Sequence, residues 1–115
     1  MRTIIAGSRG FSDYTRLEKE LLPFADTITT VLSGMAGGVD QLGVRWALEH
    51  NKTIERYPAD WERFGKAAGP LRNLRMAEKA EMLIAFWDKQ SRGTQHMIET
   101  AIKKELEVIV IYTNA

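Results

Sequence analysis

Five short apolar runs alternate with four amphipathic helical patterns along the 115 residues, and this alternation leaves few folds open. The runs lie at residues 3–6, 28–32, 53–57, 82–86 and 108–112. Each is rich in apolar or β-branched residues and reads as a strand. Tyr14, Leu17, Leu21 and Phe24 recur at helical spacing after Ser12 or Asp13 as an N-cap, and Pro23 marks the end of that helix. Val39, Leu42, Trp46 and His50 form the second stripe, with Asn51 suited to a left-handed cap. Gly69-Pro70 opens the third helix. Gly93-Thr94 opens the fourth, whose stripe is Met97, Ile98, Ala101 and Ile102.

Strands that alternate with helices predict an α/β fold: one domain over residues 1–115, a five-stranded parallel sheet, and helices on both faces. Residues 82–86 are apolar throughout and read as a central strand; residues 53–57 are weaker and read as nearer an edge. With all strands parallel and the crossovers right-handed, every strand-to-helix loop lies at the carboxyl edge of the sheet, where ligands collect. Those loops span residues 7–11, 33–40, 58–69 and 87–94. They hold most of the glycines and two of the three tryptophans, whereas the loops at the other edge are plain polar connections.

Composition sets broad limits. With 44% apolar and 27% charged residues, the chain has the make-up of a globular domain that buries roughly two-thirds of its unfolded surface. No apolar run approaches the roughly 20 residues that span a bilayer, and only a few apolar or small residues follow Arg2 before Gly7, too few for a signal peptide. Cysteine is absent, so there is no disulfide framework, and a cytoplasmic address fits. A net charge of +1 argues against nucleic acid as a partner, though not against a local basic pocket.

The four loops carry the chemistry. Ser33-Gly34-Met35-Ala36-Gly37-Gly38-Val39-Asp40 joins a strand to a helix start, an arrangement that binds anions, phosphate above all. The same glycines also suit close packing of helix on strand, and Asp40 either takes a ribose hydroxyl or complements the helix dipole. Gly7, Ser8 and Arg9 place a hydroxyl and a guanidinium beyond the first strand, for a phosphate or carboxylate or simply for solvent. In the long connection, Trp61 or Phe64 stacks on a base or pins the loop, and Lys66, Arg72 and Asn73 reach toward phosphate or sugar. Arg72 falls in the first turn of a helix, against the dipole, which points to an anion nearby. Ser91, Gly93 and Thr94 repeat the glycine-bearing helix start, with Thr94 as an N-cap the simpler reading. His96 reads as a surface residue and His50 as structural.

Two common motifs are missing. The first turn is Gly7-Ser8-Arg9-Gly10 rather than GxGxxG, and Gly65-Lys66 is followed by Ala67, so there is neither a dinucleotide fingerprint nor a Walker A loop. No His, Asp or Glu cluster has metal-ligand spacing, and no resident cofactor is called for.

The segments GSRGF, SGMAGGVD, YPADWERFGKAAGPLRN and AFWDKQSRGT together resemble the small YspA-type branch of the SLOG superfamily, which includes SMF/DprA and LOG-like proteins. The resemblance covers nearly the whole chain and implies a Rossmann-like fold that binds nucleotides or nucleotide-derived molecules. It implies that Gly34, Gly37, Gly38 and Asp40 form a phosphate loop, and that Gly93 and Thr94 form a second glycine-threonine turn. In LOG enzymes that second turn reads PGGxGTxxE, with a catalytic glutamate for cleaving the base from a nucleoside monophosphate. Met97 stands at the glutamate position here, and Glu99 lies roughly 200° further round the helix.

Three functions follow in order. The first is a sensor or sequestering protein for a nucleotide-derived small molecule, ADP-ribose-like or cyclic. The second is a nucleotide N-glycosidase, for which Asp40 and Asp60 are the candidate catalytic carboxylates. Single-stranded DNA binding, by analogy with the DprA branch, comes last because the net charge is small. Relatives that pair through helix faces keep a homo-oligomer among the expectations.

Overall fold

The strands are β1 (Arg2–Gly7), β2 (Thr30–Ser33), β3 (Thr53–Arg56), β4 (Met82–Trp87) and β5 (Glu107–Tyr112). In the computed structural model, which describes residues 1–114, they form one parallel sheet in the order β3-β2-β1-β4-β5. The helices are α1 (Tyr14–Leu21), α2 (Val39–Glu49), α3 (Trp61–Phe64), α4 (Ala68–Lys79) and α5 (Arg92–Lys103).

Alternate side chains of each strand serve opposite layers. Ile5, Val31, Ile84 and Phe86 pack with Leu17, Leu21 and Trp46 from α1 and α2. Ile4, Leu32, Leu83 and Ala85 pack on the other face with Met76, Met97 and Ala101 from α4 and α5. β1 and β4 are buried on both faces, which explains their continuous apolar sequence. β3 is an edge strand, as its weaker pattern implies.

The chain winds outward from β1 through β2 to β3, and α4 then carries it back to lay β4 on the other side of β1. The loop after β1 leads to α1 on one face, and the loop after β4 leads to α5 on the other. A crevice forms where such connections part. At its root Gly7 pairs with Phe86, and Ser8 N–H donates to Phe86 O at 3.1 Å.

The structure moves several boundaries. Ile28 precedes β2: its N–H bonds Phe24 O at 3.0 Å and its side chain is fully buried beneath the turn. The connection 58–69 contains the single turn α3, capped by Asp60, followed by a 3-10 turn at Gly65–Ala67. α4 starts at Ala68, so Pro70 is its third residue, still among the N–H positions that need no partner. Asn51 has the expected left-handed backbone, with φ of 56°. Away from the crevice, Arg2 binds the Glu55 carboxylate with both Nη atoms at 2.5 and 2.6 Å, and Lys79 O with Nε at 2.7 Å. This strap joins β1, β3 and the end of α4. No helix among the described residues is long and apolar enough to cross a membrane.

Candidate functional site

A cleft of about 620 Å³ occupies the crevice at the carboxyl edge, within the usual size of a small-molecule site. The loop after β1 contributes Gly7, Ser8 and Arg9, and the loop after β4 contributes Asp88 and Ser91. Arg92, Gly93, Thr94 and His96 come from α5. Trp61, Gly69, Arg72 and Asn73 form the wall from α3 and α4. Met76 and Met97, both buried in the core, supply its apolar side.

A run of polar side chains crosses the cleft wall, hydrogen-bonded from Gly34 through Arg72 and Asn73 to α5, with Asp40 beside it. Asp40 is buried at the start of α2 and accepts from Ala36 N–H at 3.0 Å. Burial pushes its carboxyl above the ordinary range, opposed by that N–H and by the charges of Arg72 and Arg9. Arg72 is half-buried beside it and donates through Nη1 to Gly34 O at 2.5 Å and through Nε to Asn73 Oδ1 at 3.0 Å. Burial lowers the Arg72 pKa and the Asp40 charge offsets part of that. Asn73 is buried and reaches across to α5, with Nδ2 3.4 Å from Gly93 O and 3.1 Å from His96 Nδ1.

The start of α5 remains open. Ser91 caps the helix by accepting from Thr94 N–H, and its hydroxyl lies 2.9 Å from Thr94 Oγ1. Asp88 Oδ1 accepts from both Gln90 N–H and Ser91 N–H at 2.8 Å, and those two bonds lead in holding its carboxyl below the usual range. Among the described residues no acceptor takes the N–H of Arg92 or Gly93, and a Cβ on Gly93 would meet nothing within 4 Å. Trp61 stands at the rim, 51% exposed, with its ring edge over Gly69.

The cleft therefore gathers Gly7, Ser8, Arg9, Asp40, Trp61, Arg72, Asn73, Ser91, Gly93 and Thr94 from the sequence reading. Ser33, Gly34, Gly37, Gly38, Asp60 and Lys66 do not line it. Ser33 Oγ accepts from Met35 N–H inside its own loop, and Gly34 receives Arg72. Gly38 packs against the backbone carbonyls of Ser8 and Arg9, and Gly37 faces open space. Asp60 accepts from Arg63 N–H as the cap of α3, and Lys66 is exposed on the 3-10 turn. Arg72 lies in the second turn of α4, one turn later than expected, and the nearby anion is the chain's own Asp40.

Three cleft residues escaped the sequence reading. His96 is half-buried against Asn73 rather than on the open surface. Asp88 carries a readable signal, an aspartate just past a strand with its own backbone two and three residues on to cap. Arg92 lies inside the segment SRGT and was signalled only by its place before Gly93.

The family model for YAcAr, the YspA, cpYpsA-related SLOG family, matches residues 1–64. The Gene 61 protein of Mycobacterium phage D29 is 37% identical, across 94% of this chain and 94% of its own length. The chain belongs to the YspA, cpYpsA-related SLOG family. As a member of that family it shares its fold with two solved DNA processing proteins. DprA from Streptococcus pneumoniae superposes with a TM-score of 0.72 at 20% identity, over 95% of this chain. DprA from Helicobacter pylori, described by its single-stranded DNA binding mode, superposes with a TM-score of 0.71 at 19% identity, over 96% of this chain. This chain spans 49% of the first protein's length and 64% of the second's.

The H. pylori protein corrects the expectation that set nucleic acid aside as a partner. A protein on this fold is described as binding single-stranded DNA, so a net charge of +1 is no ground for exclusion. Local charge is the relevant quantity, and Arg9, Arg72 and Arg92 all line one cleft.

Proposed function

We propose that the cleft binds a phosphate-bearing nucleotide unit and that the chain acts as a sensor or sequestering protein for it. The observation that carries this reading is the convergence, around about 620 Å³ at the sheet's switch point, of Arg9, Arg92 and the open N–H groups of Arg92 and Gly93. Phosphate sits over the start of α5, where helix dipole and guanidinium charge add. The base lies against Trp61, an exposed aromatic face at the rim. Arg72 shapes the wall and keeps its charge near Asp40. The glycines at 34 and 38 serve this site by packing its loops together.

The nucleotide unit is free, as in an ADP-ribose-like or cyclic molecule, or it belongs to a single strand. The likeness to the DNA processing protein of H. pylori favours testing the strand directly. Hydrolysis of the N-glycosidic bond needs a carboxylate at the ribose; Asp40 lines the cleft and Asp60 does not.

Equilibrium dialysis against mononucleotides, dinucleotides, ADP-ribose, cyclic nucleotides and oligo-dT, read by mass spectrometry, tests all of this. Retention of one intact nucleotide supports the sensor. Retention of oligo-dT that weakens steeply with salt assigns a strand. Free base with a ribose phosphate makes the chain a hydrolase. Retention of nothing overturns the reading.

A further inference from the structure

We propose that His96 contacts the ligand through Nε2–H, and that Arg72 and Asn73 select this tautomer. The ligand half of the inference rests on the nucleotide reading of the cleft; the tautomer half rests on geometry alone.

The Nε of Arg72 only donates, so Asn73 Oδ1 at 3.0 Å accepts. That turns Asn73 Nδ2 toward Gly93 O, which only accepts, and toward His96 Nδ1 at 3.1 Å. A reversed amide would set donor against donor at Arg72 and acceptor against acceptor at Gly93. Both ends forbid it. His96 Nδ1 therefore faces an N–H donor and must accept, which leaves the proton of the neutral ring on Nε2. Asn73 is only 6% exposed, so water competes little for these bonds.

Thr100 Oγ1 lies 3.5 Å from each ring nitrogen, too far to hold the Nε2 proton firmly. His96 lines the cleft three residues after Gly93 and so on the same face of α5 as its open N–H. A neutral donor in the cleft that Arg9 and Arg92 also line suits a phosphate oxygen. Asn73 is a positioning residue in this arrangement.

The chain's other histidine provides an internal control. His50 Nδ1 lies 2.9 Å from Trp46 O, a carbonyl, so its neutral ring carries the proton on Nδ1. Long-range proton–nitrogen correlation NMR on the nitrogen-15-labelled full chain should show the two histidines as opposite tautomers. Asn73→Ala should convert His96 alone to a mixture. A wild-type His96 with its proton on Nδ1 would overturn the tautomer assignment.

Titration with ADP-ribose and with oligo-dT then tests the ligand contact. The His96 signal should move on binding while His50 stays. His96→Ala should weaken binding about tenfold or more, and His96→Gln, which keeps a donor near Nε2, should stay within a few-fold of wild type. Binding with an unmoved His96 and full affinity in His96→Ala overturns the contact while the cleft reading stands. Absence of binding by either probe overturns the contact together with that reading, and the tautomer result is unaffected.

Discussion

The guanidinium of Arg72 occupies the space where a side chain on Gly34 would begin. A Cβ there would lie 2.6 Å from Nη1 of Arg72, and the Gly34 carbonyl accepts from that same atom. Asp40 Oδ2 flanks the same point at 3.1 Å, so glycine, arginine and carboxylate form one unit. The obstacle is the far end of a flexible side chain rather than backbone. Gly34→Ala should therefore move Arg72 at a cost of about 1 kcal/mol in stability and still fold. Nucleotide affinity should fall several-fold, measured by titration beside a thermal melt. Unchanged affinity would show that Arg72 has no part in binding.

Gly38 makes the contrasting case. Its φ is +63°, and a Cβ would lie 2.3 Å from Ser8 O and 2.5 Å from Arg9 O, both backbone atoms. Neither strain nor clash can be relieved by a rotamer change. Gly38→Ala should lose about 3 kcal/mol in urea unfolding, far more than Gly34→Ala. Equal losses in the two variants would refute this account of the loop.

Acid should weaken the strap between Arg2 and Glu55. The Arg2 hydrogen bonds hold the Glu55 carboxyl at about 2, below the 4.5 of a free glutamate. The unfolded chain thus binds more protons between these values, and stability rises with pH across them. The contribution is full above about pH 5 and lost as pH falls toward 2. The pair is one-third exposed, so the effect should be only about 1 kcal/mol. Glu55→Gln should flatten this part of the acid limb in denaturation curves measured across that range; an unaltered limb would assign the acid sensitivity elsewhere.

Trp61 offers a test of the base site with little structural risk. Its indole is 51% exposed and sits over Gly69 at the rim. Trp61→Ala should leave the melting temperature nearly unchanged. Affinity should drop by about 1–3 kcal/mol if a base stacks there. A variant that binds as well as wild type would move the base to another wall.

Periodicity made the architecture legible. Apolar runs at residues 82–86 and 108–112, set between helical stripes, require parallel strands covered by helices. The carboxyl-edge rule then placed Arg9, Trp61, Arg72 and Thr94 near one another, and all four line the cleft. The four-residue α3 escaped notice because one turn is too short to show a helical period, although Asp60 is its readable cap. The identity of the anion beside Arg72 escaped for another reason: Asp40 lies 32 positions earlier and meets it only once α2 and α4 are in place.

Local pattern alone thus determined the strands, the four longer helices and the edge on which the cleft forms, because each depends on neighbours within a few residues. Tertiary structure decided which polar groups on that edge are already engaged. Gly34 and Gly38 serve packing, Asp40 faces Arg72, and the His96 ring meets the Asn73 amide. These are contacts between groups far apart in the chain, set by strand order and register, and no spacing along a single segment encodes them.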